Sequence, residues 1–235
     1  MTAAAVGCFA LTYALAYICG AAFALTGGAI VARYPAALKA AVASHRGTYV
    51  PFGALPRCAI DGVISVEDKR FFHNPGIDPI ALFRVAFATL KGAHGDQGGS
   101  TITQQLARLI IDEPRSQPSL AAEFWSEVQV VKYGLITAHD FSKDEILELY
   151  LNSVYYGRGA HGFAAAAKTY FGTAPANLSQ AQCYYLTGLP QAPSYFGSHP
   201  AAAAARYQHV LSTLERNGFI TPMEQRQLAL KAPDA

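Results

Sequence analysis

From Thr2 to Ala32 the chain carries no charged side chain, and its Leu, Ile and aromatic content continues past the roughly 20 residues that a helix needs to cross a bilayer. An apolar stretch of that length has few destinations, and an uncleaved transmembrane anchor over residues 1–32 is the first expectation. A cleaved signal peptide is the alternative, because Ala22-Phe23-Ala24 has the form of a small-residue cleavage site. The missing basic n-region and the length of the stretch argue against it. Arg33, Lys39 and Arg46 come after the span and no Lys or Arg precedes it. The positive-inside rule taken alone would therefore leave the remainder of the chain in the cytoplasm.

That remainder reads as helix after helix. With 51% hydrophobic and 14% charged residues in 235, the chain can bury one sizeable core. Residues 33–54 read as a membrane-proximal segment, in which Tyr34 to Ser44 is apolar-periodic and suited to lie along a membrane surface. Helices are then expected over Leu55 to Arg70, over Pro79 to Leu90 with Asp78 as N-cap, and over Thr101 to Ile111 with Ser100 or Gly99 as cap. Lys91 to Gly99 is too glycine-rich to be anything but a loop. Glu123 to His139 is helical in composition. Ser142 and Glu145 make a capping box for a helix that runs through ILELYLN toward Gly157. Ala164 to Tyr170, Ser179 to Leu189 and His209 to Arg216 continue the pattern, with Gly218 as the C′ residue of the last. Thr221 as N-cap and Pro222 at N1 open a final helix. No alternating strand pattern appears, so the fold class is all-α, without repeats.

Lys plus Arg 18 against Asp plus Glu 16 leaves a net charge of +2 and no basic stripe, which argues against a nucleic-acid partner. Cys8 and Cys19 fall in the apolar stretch and read as small apolar residues. Cys58 and Cys183 lack the spacing of zinc ligands, and a disulfide between them is open to a chain outside the cytoplasm.

Side chains that a helical core does not ask for concentrate in a few segments. In VEDKRFFHNPGID, Val66 to Asp78, Glu67 stands seven, four and three positions after Ile60, Val63 and Ile64. On a helix its carboxyl shares their apolar stripe, and desolvation there raises a carboxyl pKa toward the range of a general base. In GGSTITQQLAR, Gly98 to Arg108, glycines feed a helix whose first turn carries hydroxyls and whose next turns carry Gln104, Gln105 and Arg108. A helix N-terminus with an Arg beyond it suits phosphate or pyrophosphate. A third segment runs from Phe141 to Gly172.

Taken in order, these segments resemble the peptidoglycan glycosyltransferases, the family of monofunctional transglycosylases and of the polymerase domain of class A penicillin-binding proteins. The family's first signature, E-D-x-x-F-x-x-H-x-G-x-D, is met by Glu67, Asp68, Phe71, Gly76 and Asp78. The second, G-x-S-T-I-x-Q-Q, is met by Gly98, Ser100, Thr101, Ile102, Gln104 and Gln105. The fourth is matched almost throughout from Ile146 to Gly172, and the fifth by Gly188, Leu189, Pro190, Ala192 and Pro193. The resemblance covers about Leu55 to Pro200. It implies a lysozyme-like helical domain over residues 55–235, held by the N-terminal transmembrane helix on the outer face of the bacterial cytoplasmic membrane. The activity implied is polymerisation of lipid II into β-1,4-linked glycan strands, with inversion at the anomeric carbon and release of undecaprenyl pyrophosphate. Glu67 matches the family base. Asp68, Arg84, Ser100, Thr101, Gln105 and Arg108 match or neighbour positions that bind substrate, with Arg108 where the family usually has Lys.

Two departures stand out. Asn74 occupies the position of the motif-one His, with His73 beside it. The third motif, R-K-x-x-E, falls without a gap on Ser126, Glu127 and Val130, so its glutamate and basic escort are absent. Glu127 is a displaced candidate for that glutamate, with Lys132 a cation near by. A catalytically impaired member that binds lipid II or partner proteins is therefore the alternative reading, and a lysozyme-like cell-wall hydrolase rests on fold analogy alone. The partners implied are lipid II, the growing glycan strand, the cytoplasmic membrane, and transpeptidases and other cell-wall synthesis proteins. No S-x-x-K motif with its partners comes after the matched region, which points to a monofunctional protein. Family members often use a divalent cation with the substrate pyrophosphate, but no ligand cluster marks a metal site built by this chain.

Overall fold

The computed structural model describes residues 15, 18–22, 28–44, 48–78, 99–111 and 120–233. Most of the apolar N-terminal stretch lies outside these residues, as do the helix expected over 79–90 with Arg84 and all of the adjoining glycine-rich run except Gly99. Among the described residues no helix is long and apolar enough to cross a membrane.

The described elements are helical throughout, as the patterning requires, and the one isolated antiparallel bridge among them joins Tyr155 to His161. In chain order the α-helices are α1 (Gly28–Ser44), α2 (Arg57–Glu67), α3 (Ile102–Ile111), α4 (Leu120–Asp140), α5 (Lys143–Ser153), α6 (Phe163–Phe171), α7 (Gln180–Gly188), α8 (Pro193–Ser198), α9 (Pro200–Arg216) and α10 (Pro222–Ala229). Caps that depend only on residues three apart form as expected. Ser142 Oγ accepts from Glu145 N at 3.2 Å while the Glu145 carboxylate accepts from Ser142 N at 2.9 Å, and Thr221 with Glu224 repeats the box ahead of α10.

Elsewhere the boundaries differ from expectation. The cap of α3 is Thr101 rather than Ser100 or Gly99, because its hydroxyl accepts from Gln104 N at 3.1 Å and donates to Gly76 O at 2.6 Å. Helix α5 stops at Ser153 instead of running toward Gly157. The chain beyond it needs left-handed backbone, with Gly157 at φ 88°, and a Cβ there would lie 2.2 Å from the Pro193 carbonyl oxygen.

The chain divides into two compact units, each made of two segments, Met1–Ala41 with Arg70–Ile146 and Val42–Lys69 with Leu147–Ala235. In the first, α3 packs along α4, and Leu106 and Ala107 of α3 and Val128, Val130 and Val131 of α4 are buried. The apolar stripe of α1, expected to lie on a membrane surface, is buried in protein at Tyr34, Leu38 and Val42. Tyr34 stacks on Tyr133 of α4 at 4.6 Å, and its hydroxyl is hydrogen-bonded to Thr137 Oγ1 at 2.8 Å.

In the second unit α2, α7 and α9 pack on one another. The disulfide Cys58–Cys183, with Cα atoms 6.0 Å apart, joins α2 to α7. After α9, Asn217 Nδ2 donates to Ser65 O of α2 at 3.1 Å. Ile60, Val63 and Ile64 of α2 are buried, each worth roughly 1.5–3 kcal/mol in transfer free energy.

Candidate active site

Glu67 is the last residue of α2, and the stripe expected from its spacing forms: Ile60, Val63 and Ile64 are all buried. The side chain is half-buried, with Oε1 enclosed by protein. It lies within electrostatic reach of Tyr150 on α5 and Tyr156 in the loop beyond. Burial pushes both phenol hydroxyls well above the ordinary tyrosine range, and the Glu67 charge adds to the shift in each. Asp68, also buried, terminates α2 by donating its N–H to Ile64 O at 3.1 Å.

The rest of the first signature belongs to the other unit, where it forms a tightly held loop. Arg70 Nη2 lies 2.7 Å from Asp78 Oδ2. Asn74, standing where the family signature has His, is buried and closes a turn by accepting from Gly76 N through Oδ1 at 3.0 Å. Lys143 donates to Asn74 O at 2.8 Å and holds its Nζ 4.4 Å from the Phe71 ring centroid. Gly76 has φ 98°, and a Cβ on it would meet Gly134 O of α4 at 2.8 Å. The loop is thus pressed onto α4, and its Gly76 carbonyl oxygen accepts from the Thr101 hydroxyl.

Among the second-signature residues, Thr101 is buried and its hydroxyl is committed to backbone, so it orients the start of α3. Ser100 and Gln105 are partly exposed. Arg108, in the last turn of α3, is brought together with Glu127 of α4: Nη2 donates to Oε1 at 2.8 Å. Lys132 is buried on α4 with its Nζ 4.9 Å from the Tyr133 ring centroid. Val130, at the position of the missing glutamate, is fully buried.

Sequence reasoning does not single out Tyr150, Tyr156, Lys143 or Arg70. Their signal is present, since all lie within the matched segments, but which of them meets Glu67 or the motif-one loop depends on the fold. Among the described residues no group of three or more His, Cys, Asp or Glu side chains is placed to hold a metal ion.

A family model described as Transglycosylase matches residues 36–215. A Cupriavidus necator protein assigned by name to the transglycosylases is 38% identical over 180 residues, covering 75% of this chain and 74% of that protein. Penicillin-binding protein 1A of Aquifex aeolicus is 37% identical over 188 residues, and that of Escherichia coli 36% over 188 residues; each match covers 79% of this chain. The matches span only 25% and 21% of those two penicillin-binding proteins. A crystal structure of penicillin-binding protein 1A from Haemophilus influenzae aligns over 81% of this chain and 18% of that one, with 21% identity and a TM-score of 0.46, too low to establish a shared fold by itself. The extent of the family match and the two-sided coverage of the Cupriavidus relative are decisive: this chain belongs to the transglycosylase family.

Proposed function

We propose that the chain polymerises lipid II into β-1,4-linked peptidoglycan strands, with inversion at the anomeric carbon and release of undecaprenyl pyrophosphate. The carrying observation is Glu67, a carboxylate at the end of an apolar helix stripe with one oxygen enclosed by protein, in a chain of the transglycosylase family. In this reading the domain is lysozyme-like and Glu67 removes the proton of the attacking 4-hydroxyl as the glycosidic bond forms. The displaced pyrophosphate needs cations and N–H donors, and Arg108 with Gln105, Ser100 and Arg84 are assigned to it, while Lys132, buried against Tyr133, is left out. Asp68 fixes the end of α2, and Thr101 fixes the start of α3. Glu127 enters through its ion pair with Arg108. A divalent cation that accompanies the substrate pyrophosphate fits this chemistry.

The protein is assigned to the cytoplasmic membrane, with residues 1–32 as anchor, residues 33–54 next to it, and the catalytic domain, residues 55–235, on the outer face. The Cys58–Cys183 bridge supports that side against the positive-inside rule, since disulfides persist in oxidising compartments. Lipid II, the growing strand and the transpeptidases that cross-link it are the partners this role requires. The alternative, a lipid II-binding member without catalysis, is favoured by Val130, an apolar core residue in place of the motif-three glutamate. Incubation of the purified chain with lipid II and gel analysis of the product separates the two. Glycan strands are expected, and a chain that binds lipid II but leaves it unpolymerised would establish the alternative.

A further inference from the structure

Arg108 and Glu127 sit on different helices, 19 positions apart, and their 2.8 Å contact bridges the packed pair α3 and α4. The buried Leu106, Ala107, Val128 and Val130 beside them fix both backbones. The side chains are 34% and 17% exposed, so water reaches the guanidinium while much of the carboxylate is covered. Such a pair, held by two rigid elements and partly shielded, keeps its geometry better than one formed by free surface side chains. Lys132, five positions after Glu127, is turned about 140° away around α4 and lies against Tyr133. Glu127 is therefore directed to Arg108 and not to the other cation of its helix.

A guanidinium offers five N–H donors in a planar fork, and carboxylate and phosphate oxygens compete for the same directions. The geometry points to Glu127 as an internal counter-ion of Arg108: a positioning residue that holds the guanidinium when no substrate is bound and yields it, at least in part, when pyrophosphate oxygens arrive. This rests on the assignment of Arg108 to the pyrophosphate. Glu127 then acts against binding and in favour of release. It does not take over the proton chemistry of the missing glutamate. A carboxylate beside the leaving group repels it, so the family cation absent at this position is replaced by a group that weakens the complex and hastens its dissociation.

The test is titration of inorganic pyrophosphate into the 235-residue chain by calorimetry at fixed ionic strength, comparing wild type, Glu127→Gln, Arg108→Ala and the double variant. Glu127→Gln is expected to bind about tenfold more tightly, the scale of one charge-assisted contact regained. Arg108→Ala should abolish that gain. With lipid II, KM should fall in Glu127→Gln without a rise in kcat. Unchanged or weaker binding in Glu127→Gln overturns the inference, as does a gain that survives Arg108→Ala or the absence of binding in every variant at millimolar pyrophosphate. Should Glu127→Gln fail to fold, Glu127→Asp, which keeps the charge but shortens its reach, must bind more tightly than wild type. Tighter pyrophosphate binding in a chain that makes no glycan would retain the counter-ion and discard the polymerase. Glycan synthesis with unaltered pyrophosphate affinity would do the reverse.

Discussion

Glu67, the proton acceptor of the proposed reaction, stands where a helix ends. Three buried aliphatic side chains precede it on one stripe, and two buried tyrosines feel its charge. Glu67→Gln preserves shape and removes the proton acceptor, so polymerisation of lipid II should fall at least about a hundredfold while circular dichroism is unchanged. A near-wild-type rate would remove Glu67 from the mechanism. Val130 makes the opposite point. Writing the family glutamate back as Val130→Glu places a carboxylate at a fully buried position on α4. Several kcal/mol of destabilisation are expected, read as a lower urea midpoint, and no gain in rate. An unaltered midpoint would show that the position opens to solvent.

Helix α3 shows how one hydroxyl can connect an element to its surroundings. Thr101 caps the helix and donates to the Gly76 carbonyl oxygen, which belongs to a loop pressed against α4. Thr101→Ala removes the cap, worth about 1 kcal/mol, and leaves a buried carbonyl oxygen without that donor, at a further roughly 1–2 kcal/mol. Thr101→Ser should recover most of the loss in a chemical denaturation series. Equal midpoints for the Ala and Ser variants would mean that the methyl group matters rather than the hydroxyl.

For the molecule as a whole, the disulfide closes a loop with a sequence separation of 125. Cross-links over about 100 residues are worth up to about 4–5 kcal/mol in the chain-entropy account, so paired Cys58→Ala and Cys183→Ala changes should lower the melting temperature markedly. The same bond bears on topology. A reporter fused after Ala235 should be active in its extracytoplasmic form, and activity in the cytoplasmic form alone would put the domain on the wrong side for polymerising lipid II. The buried phenols predict alkaline behaviour. Burial raises Tyr207 from 10.0 to about 12. A raised folded value means that its contribution to stability is fully present below pH 10 and is lost as pH rises toward 12. Melting temperature should therefore decline across that window, with a smaller decline in Tyr207→Phe, whose own loss of the 3.0 Å bond to Leu228 O is independent of pH.

Features that depend on neighbours within one or two helical turns are legible in the residue order alone. The stripe ending at Glu67, the Ser142 and Thr221 boxes and the left-handed Gly218 form as the residue types dictate, because spacing on a helix fixes which side chains meet. The cap of α3 falls on Thr101, whose hydroxyl also finds a carbonyl 25 residues away, and α5 ends at Ser153 ahead of a loop in which Gly157 lies close to the Pro193 carbonyl oxygen. The partner of Arg108, the pairing of Cys58 and the burial of the α1 stripe arise from chain segments returning over 19, 125 and 103 positions. No local preference encodes such returns. They are selected by packing of whole helices, and a charge or thiol then meets whatever that packing brings within reach.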